Sequence, residues 1–276
     1  MDVAFSETLS AFWAQFSYAY ALAGLVVGVI VGMTGVGGGS LMTPILLHFG
    51  ISPIHAVGTD LLYAAITKSN GVFVHQRKGN VDWGITVRLA AGSIPAAILT
   101  LIGIRYFQNH SPSHASDSLI TMSLGIALLF TALAITFKQP LVDWSHRNDV
   151  IFTRMSPGQR HAATYVIGTG LGVVVSITSI GAGALGTMAL FLVYPLLPTS
   201  KLVGTEIAHA VPLTLIAGLG HASSGHVDFG LLANLLAGSL PGIWLGSHAA
   251  GALPDKWLRP ALAAMLVYAG VKLILK

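Results

Sequence analysis

The sequence predicts an all-α polytopic membrane protein, made of two homologous halves of four transmembrane helices. Each half carries a glycine-rich break and a short re-entrant half-helix. Three observations lead there. Hydrophobic residues fill 54% of the 276 positions and charged residues only 9%, against about 25% charged in a soluble domain. Successive apolar runs approach the roughly 20 residues that cross a bilayer, so the lipid bilayer is the first expected partner. The second half repeats the first at a shift of 146 positions, which carries Gly35 onto Gly181.

Taken in order, the first span is expected near Phe16–Met33. It ends in Met33-Thr34-Gly35-Val36-Gly37-Gly38-Gly39-Ser40, four glycines in five residues inside an apolar run. Each glycine weakens a helix by about 1 kcal/mol relative to alanine. Bare backbone at membrane depth is tolerated only against protein or a water-filled cavity, so the break reads as a site. Ser40–Phe49 is too short to cross and is expected to be a half-helix or a re-entrant segment. Spans follow near Ile54–Val74, Gly84–Phe107 and Leu119–Phe137, and the polar stretch Lys138–Arg160 joins the halves. The second half gives a span near Ala162–Ile180, a short segment near Ala184–Tyr194, and spans near Leu202–Gly220, Gly230–Ala250 and Leu258–Leu275. The expected organisation is a first repeat over 1–137, a cytoplasmic loop over 138–160 and a second repeat over 161–276.

The repeat extends well beyond glycines. Val57-Gly58-Thr59 falls on Val203-Gly204-Thr205, His75 on His221, Gly79-Asn80-Val81-Asp82 on Gly225-His226-Val227-Asp228, and Ala91-Gly92-Ser93 on Ala237-Gly238-Ser239. Duplicated halves with interrupted helices at matching positions point to a secondary transporter, its site between the two breaks. Gly24, Gly28 and Gly32 form a small-residue ladder and read as a helix-contact face.

Loop charges set an expected orientation. With eight spans and re-entrant short segments, the two halves point the same way. Arg77, Lys78, Lys138, Arg147, Arg154, Arg160 and Lys276 then lie inside with both termini, and Arg105, Lys201, Lys256 and Arg259 outside. If the short segments cross fully, each half has five spans and the halves are inverted.

Charged residues at membrane depth are expensive and mark function by default. Asp60 and Glu206 occupy equivalent positions after a Gly-Thr pair. They are open to a proton-coupling role or to capping a helix N-terminus. Lys68, eight residues beyond Asp60, is a candidate anion ligand or a snorkelling residue. His209, one turn after Glu206, is a candidate to share a proton with it or to pack as a core histidine. His75 and His221 read as interfacial anchors. Pro95, Pro212 and Pro241 are expected to kink their spans. A glycine break followed by a helix start presents free N–H groups to an anion. The candidate substrate-binding set is Thr34, Gly35, Gly37, Gly38, Gly39, Ser40, Thr59, Lys68, Gly181, Gly183 and Thr205. The proton-coupling set is Asp60, Glu206 and His209.

Other classes are disfavoured. The basic residues sit in loops and form no soluble basic face, so no nucleic-acid partner is expected. The chain has no cysteine, and no His-x-x-x-His spacing recurs on one span, so no metal, cofactor or catalytic residue is assigned.

Gly24-x-x-x-Gly28-x-x-x-Gly32-x-x-Gly35-x-Gly37-Gly38-Gly39, with Pro44 and Ala56-Val57-Gly58-Thr59, resembles the TauE/SafE family of membrane permeases. The resemblance runs through both halves, and Gly181-Ala182-Gly183-Ala184 is its more degenerate second copy. It implies export of sulfur-containing anions such as sulfite or organosulfonates like sulfoacetate, from a bacterial inner membrane. Family members often carry serine after Gly-Thr, where this chain has Asp60 and Glu206. The expected protein is therefore an alternating-access exporter of a small anion, proton-linked through these acids, with a homodimer as the oligomer left open. An anion channel, or a permease for another small organic anion, is the alternative.

Overall fold

The computed structural model describes residues 17–34, 39–110, 121–137, 155–248 and 255–275. Among the described residues there are ten helices and no strand. We number them α1 (Tyr18–Thr34), α2 (Gly39–His48), α3 (Pro53–Arg77), α4 (Trp83–His110), α5 (Thr121–Phe137), α6 (Pro157–Thr178), α7 (Ala184–Val193), α8 (Thr199–Ser223), α9 (Phe229–His248) and α10 (Asp255–Ile274). Among the described residues, four stretches are both long and apolar enough to cross a membrane: Trp83–His110, Pro157–Thr178, Thr199–Ser223 and Phe229–Gly246. Their outward side chains are apolar, with Leu99 69%, Val166 70% and Trp244 62% exposed, which suits lipid and not water. The helices run through Pro95, Pro212 and Pro241 without ending.

Local chemistry explains the helix starts. Ser156 and Gln159 form a reciprocal capping box on α6. The Asp82 and Asp228 carboxylates accept from Ile85 N–H at 3.1 Å and Leu231 N–H at 2.8 Å, capping α4 and α9.

Close glycine contacts give each helix pair a direction. On α3 and α8, a Cβ built on Gly218 would lie 2.8 Å from Leu62 Cγ. One on Gly71 would lie 3.3 Å from Ile207 Cγ2, and one on Gly204 would lie 2.9 Å from His75 Nδ1. Numbers rise on one helix as they fall on the other, so α3 and α8 are antiparallel. Helix α1 packs along α9, Gly24 against Leu235 and Gly28 against Ser239 and Ile243, and these run parallel. So do α6 and α4, with Gly168 on Leu89 and Gly172 on Ser93. The ladder glycines Gly24 and Gly28 thus form a helix-contact face. Helices α5 and α10 are antiparallel, Gly125 against Ile274 and Gly270 against Leu129.

These directions correct the same-way arrangement of the halves. Helices α3 and α8, equivalent under the 146-residue shift, run in opposite directions. The physical reason is that the short helix of each half ends beside the start of the helix before it. Tyr20, near the start of α1, packs edge-on to Phe49, just past α2, at 5.4 Å between ring centres. Tyr194, just past α7, shares a 2.8 Å hydrogen bond with Thr164 near the start of α6. The outer ends of α1 and α2 therefore lie together, as do those of α6 and α7.

The ends of the bundle differ in charge. The start of α1 meets the start of α9, where Ser17 N–H donates to Asn234 Oδ1 at 2.8 Å. The start of α3 lies there as well, because Asp228 N–H donates to Thr59 Oγ1 at 3.1 Å. At the opposite end, Asp82 N–H donates to Thr205 Oγ1 at 2.9 Å, and Lys201 lies 4.0 Å from Asp82. Arg77, Lys78, Arg160, Lys201 and the start of α10 share that basic end. The start of α1 and the Arg77–Lys78 loop thus lie at opposite ends of α3, so they cannot both face the cytoplasm. Lys201 sits on the same end as Arg77, not on the other.

Candidate functional site

The polar centre of the molecule is assembled from α3, α8 and the unwound linker between α6 and α7. Helix α6 ends at Ser179, whose φ of 58° is left-handed. Gly181 and Gly183 follow with φ of 116° and 145°, a backbone path that side chains rarely allow. Helix α7 then starts at Ala184 with no side-chain cap. The linker is buried: Ser179 is 2% exposed and Ile180 is fully covered.

Three charged side chains converge here. Asp60, Lys68 and Glu206 are all buried. The Lys68 ammonium donates a hydrogen bond to the Ala182 carbonyl, which has no helical partner because the linker is unwound. Both carboxylates lie within range of its charge. Thr43 on α2 donates to Asp60 Oδ2, and Ser179 sits beside the same carboxylate. Glu206 lies beside Gly183 and along the first turn of α7, where a Cβ on Gly186 would come within 2.8 Å of its Oε1. Among the described residues, Asp60 Oδ1, both Glu206 oxygens and Ser179 Oγ have no hydrogen-bond partner. Buried polar atoms in that state normally meet water, an ion or a ligand.

His209 shares a 2.8 Å hydrogen bond with Ser93 Oγ on α4, and its Nδ1 has no partner among the described residues. The equivalent residue in the other half, Tyr63, faces Ser239 on α9. His221 is buried, 2.9 Å from the Ser176 carbonyl, so it is not the interfacial anchor expected from its span-end position. Its ring faces His226, and His226 faces His55, at 6.0 and 5.8 Å between centres. His226 lies in the α8–α9 loop, where burial and then the neighbouring His55 hold its imidazole below the usual histidine range. Among the described residues, no group of three or more His, Asp or Glu is placed to hold a metal ion.

The structure therefore brings Lys68, Asp60, Glu206, Gly181 and Gly183 together, with His209 one turn along α8. It does not bring Thr59 and Thr205 to them. Each threonine oxygen accepts the backbone N–H of Asp228 or Asp82, tying the start of one long helix to the loop after the other. Gly35, Gly37 and Gly38 lie outside the described residues, as do the side chains of Thr34 and Ser40; α2 begins at Gly39. Thr43, Ser179, Ser93 and the Ala182 carbonyl belong to the centre without having been singled out in the sequence. The 146-residue register offered a partial signal for Ser93, which shares its Gly-Ser-x-Pro setting with Ser239.

Apolar outward faces around a buried charged centre at an unwound linker define the class: a polytopic membrane transport protein. The chain belongs to the TauE/SafE sulfite exporter family, whose family model matches residues 20–273. It is 40% identical over 253 residues to the probable membrane transporter protein YjnA of Bacillus subtilis, covering 92% of this chain and 98% of that one. It is 27% identical over 210 residues to the probable membrane transporter protein MJ0441 of Methanocaldococcus jannaschii, covering 72% of this chain and 69% of that one. Sulfite exporter TauE/SafE family protein 2 of Arabidopsis thaliana is 25% identical over 121 residues, 44% of this chain and 26% of that protein. These names indicate transporters, not enzymes. No solved structure gives a significant match.

Proposed function

We propose that the protein is a secondary carrier, by family resemblance an exporter, of small sulfur-containing anions such as sulfite or organosulfonates. The single observation that carries this is Lys68: a buried ammonium at an unwound linker, beside the uncapped start of α7. A positive charge beside free helix N–H groups suits a small oxyanion. The anion set is Lys68 with the Gly181–Gly183 linker, and its counterpart is the first break, Thr34, Gly35, Gly37, Gly38, Gly39 and Ser40. Asp60, Glu206 and His209 are the proton-handling groups, since each is buried within range of Lys68's charge.

We read 1–137 and 161–276 as inverted repeats joined by the loop 138–160. The exchanged contacts support this: α1 pairs with α9 as α6 pairs with α4, and the Thr59–Asp228 bond matches Thr205–Asp82. The hairpins α1–α2 and α6–α7 enter and leave on one side each, from opposite sides. Rocking one repeat on the other across the α3–α8 contact exposes the centre alternately. The basic end with Arg77, Lys78 and Lys201 faces the cytoplasm by the positive-inside rule, which puts the start of α1 outside in a bacterial inner membrane.

Counterflow in proteoliposomes tests this function. A carrier preloaded with unlabelled sulfonate accumulates labelled sulfonate transiently, whereas a channel dissipates the gradient without overshoot. A flux with no overshoot for sulfite, sulfoacetate, thiosulfate or small carboxylates rejects the carrier.

A further inference from the structure

We infer that Glu206 is a tethered surrogate for the transported anion, which replaces it one for one when Glu206 takes a proton. The inference rests on the carrier function proposed above and assigns its coupling. Glu206 occupies the place such an anion needs. Its carboxylate lies beside Gly183 and the first turn of α7, within range of the Lys68 charge, and is 1% exposed. An uncapped helix start beside an ammonium is an anion site. Here the anion is supplied by the neighbouring helix. The Gly183 backbone faces the Glu206 carboxylate, and no side chain among the described residues donates a hydrogen bond to it. Gly186 leaves the room it occupies: a Cβ there would lie 2.8 Å from Oε1 and 2.9 Å from Cγ.

Lys68 already faces the Asp60 and Glu206 carboxylates, so a further anion in this buried space would add like charge at close range, which is destabilising. The substrate therefore enters as Glu206 is neutralised. One proton joins the Glu206 carboxylate, which gives up its ionic contact to Lys68, and the monovalent anion takes the Lys68 and α7 contacts. The charge of the site is unchanged by the exchange. Proton and anion then travel in the same direction, one to one and without net charge movement.

On α3, His75 lies against Gly204, two residues before Glu206. Lys68 faces Glu206 from α3, and Asp60 acts on the same lysine from one end of α3. His209 lies on the same helix as Glu206, turned to Ser93. Among the described residues, the α6–α7 linker and α4 contribute backbone and hydroxyl groups, Ser179 and Thr86 among them. Residues 35–38 carry no titratable side chain.

The test uses purified full-length protein and methanesulfonate, a probe that stays ionised throughout the neutral range. Its affinity is measured calorimetrically over pH, with proton uptake counted in buffers of different ionisation enthalpy. The expected result is about a tenfold weaker affinity per unit rise in pH, matching one proton taken up per anion. In Glu206→Gln, binding is retained and proton uptake falls to zero. Glu206→Asp, which keeps a carboxyl at the α7 start, retains the slope. Binding without proton uptake in the wild type, or undiminished uptake in Glu206→Gln, overturns the inference while counterflow leaves the carrier function standing. Absence of counterflow for every anion overturns both.

Discussion

Lys68 on α3 donates to the Ala182 carbonyl of the α6–α7 linker, joining residues 114 positions apart across the two halves. The bond places one ammonium within range of both Asp60 and Glu206. The lysine thus serves two purposes at once: it satisfies an unwound carbonyl and neutralises buried acids.

Replacing Lys68 by methionine should abolish sulfonate binding, with affinity at least tenfold weaker. It should also lower stability, since removing one partner of a buried charge cluster costs about 3–5 kcal/mol. The double variant Lys68→Met, Glu206→Gln should recover part of that stability but none of the binding. Thermal unfolding in detergent, paired with a binding assay, separates the two effects. Unchanged sulfonate binding in Lys68→Met removes the lysine from the anion site.

The linker depends on backbone conformations that only glycine adopts freely. Gly183→Ala, at φ 145°, should cost about 1–3 kcal/mol and disturb the start of α7. Gly186→Ala acts differently, since its methyl displaces Glu206. Transport should fall in both, while only Gly186→Ala is expected to change the pH dependence of binding.

Thr59 and Thr205 should matter for stability and not for affinity. Each accepts a backbone N–H from the opposite half, so Thr→Val at either site should cost about 1 kcal/mol. Sulfonate affinity in the valine variants should stay within twofold of wild type. A loss of affinity at unchanged stability would return these hydroxyls to the anion site.

Reporter fusions decide the orientation. A fusion in the Arg77–Lys78 loop should report the cytoplasm, and one before Ser17 should report the outside. Both reporting the cytoplasm would contradict the opposed placement of Ser17 and Arg77 along α3.

The legibility of this molecule in its sequence follows physical lines. Asp60, Lys68, Glu206 and His209 stood out because ionisable residues are rare in apolar runs. Thr43 and Ser179 did not, since hydroxyls satisfy themselves on their own helix at little cost, as Thr67 does on the Tyr63 carbonyl. The Ala182 carbonyl has no side-chain signal at all. Thr59 and Thr205 invited an anion role because their hydroxyls could donate to a bound oxyanion. Their true partners, Asp228 and Asp82, were visible only as repeat-related residues, with nothing to say that each half caps the other. Helix directions were hidden for a similar reason. Hydropathy counts spans, and two short hairpins leave the count ambiguous until Tyr20 is seen against Phe49.

The central claim is that the buried Lys68 centre carries small sulfur-containing anions by exchange. Counterflow of labelled sulfonate in proteoliposomes tests it most directly, with wild type beside Lys68→Met. The expected result is a transient overshoot in wild type, accelerated by internal sulfonate and absent in Lys68→Met. Flux that is unaffected by internal sulfonate, or an equal overshoot in Lys68→Met, would contradict it.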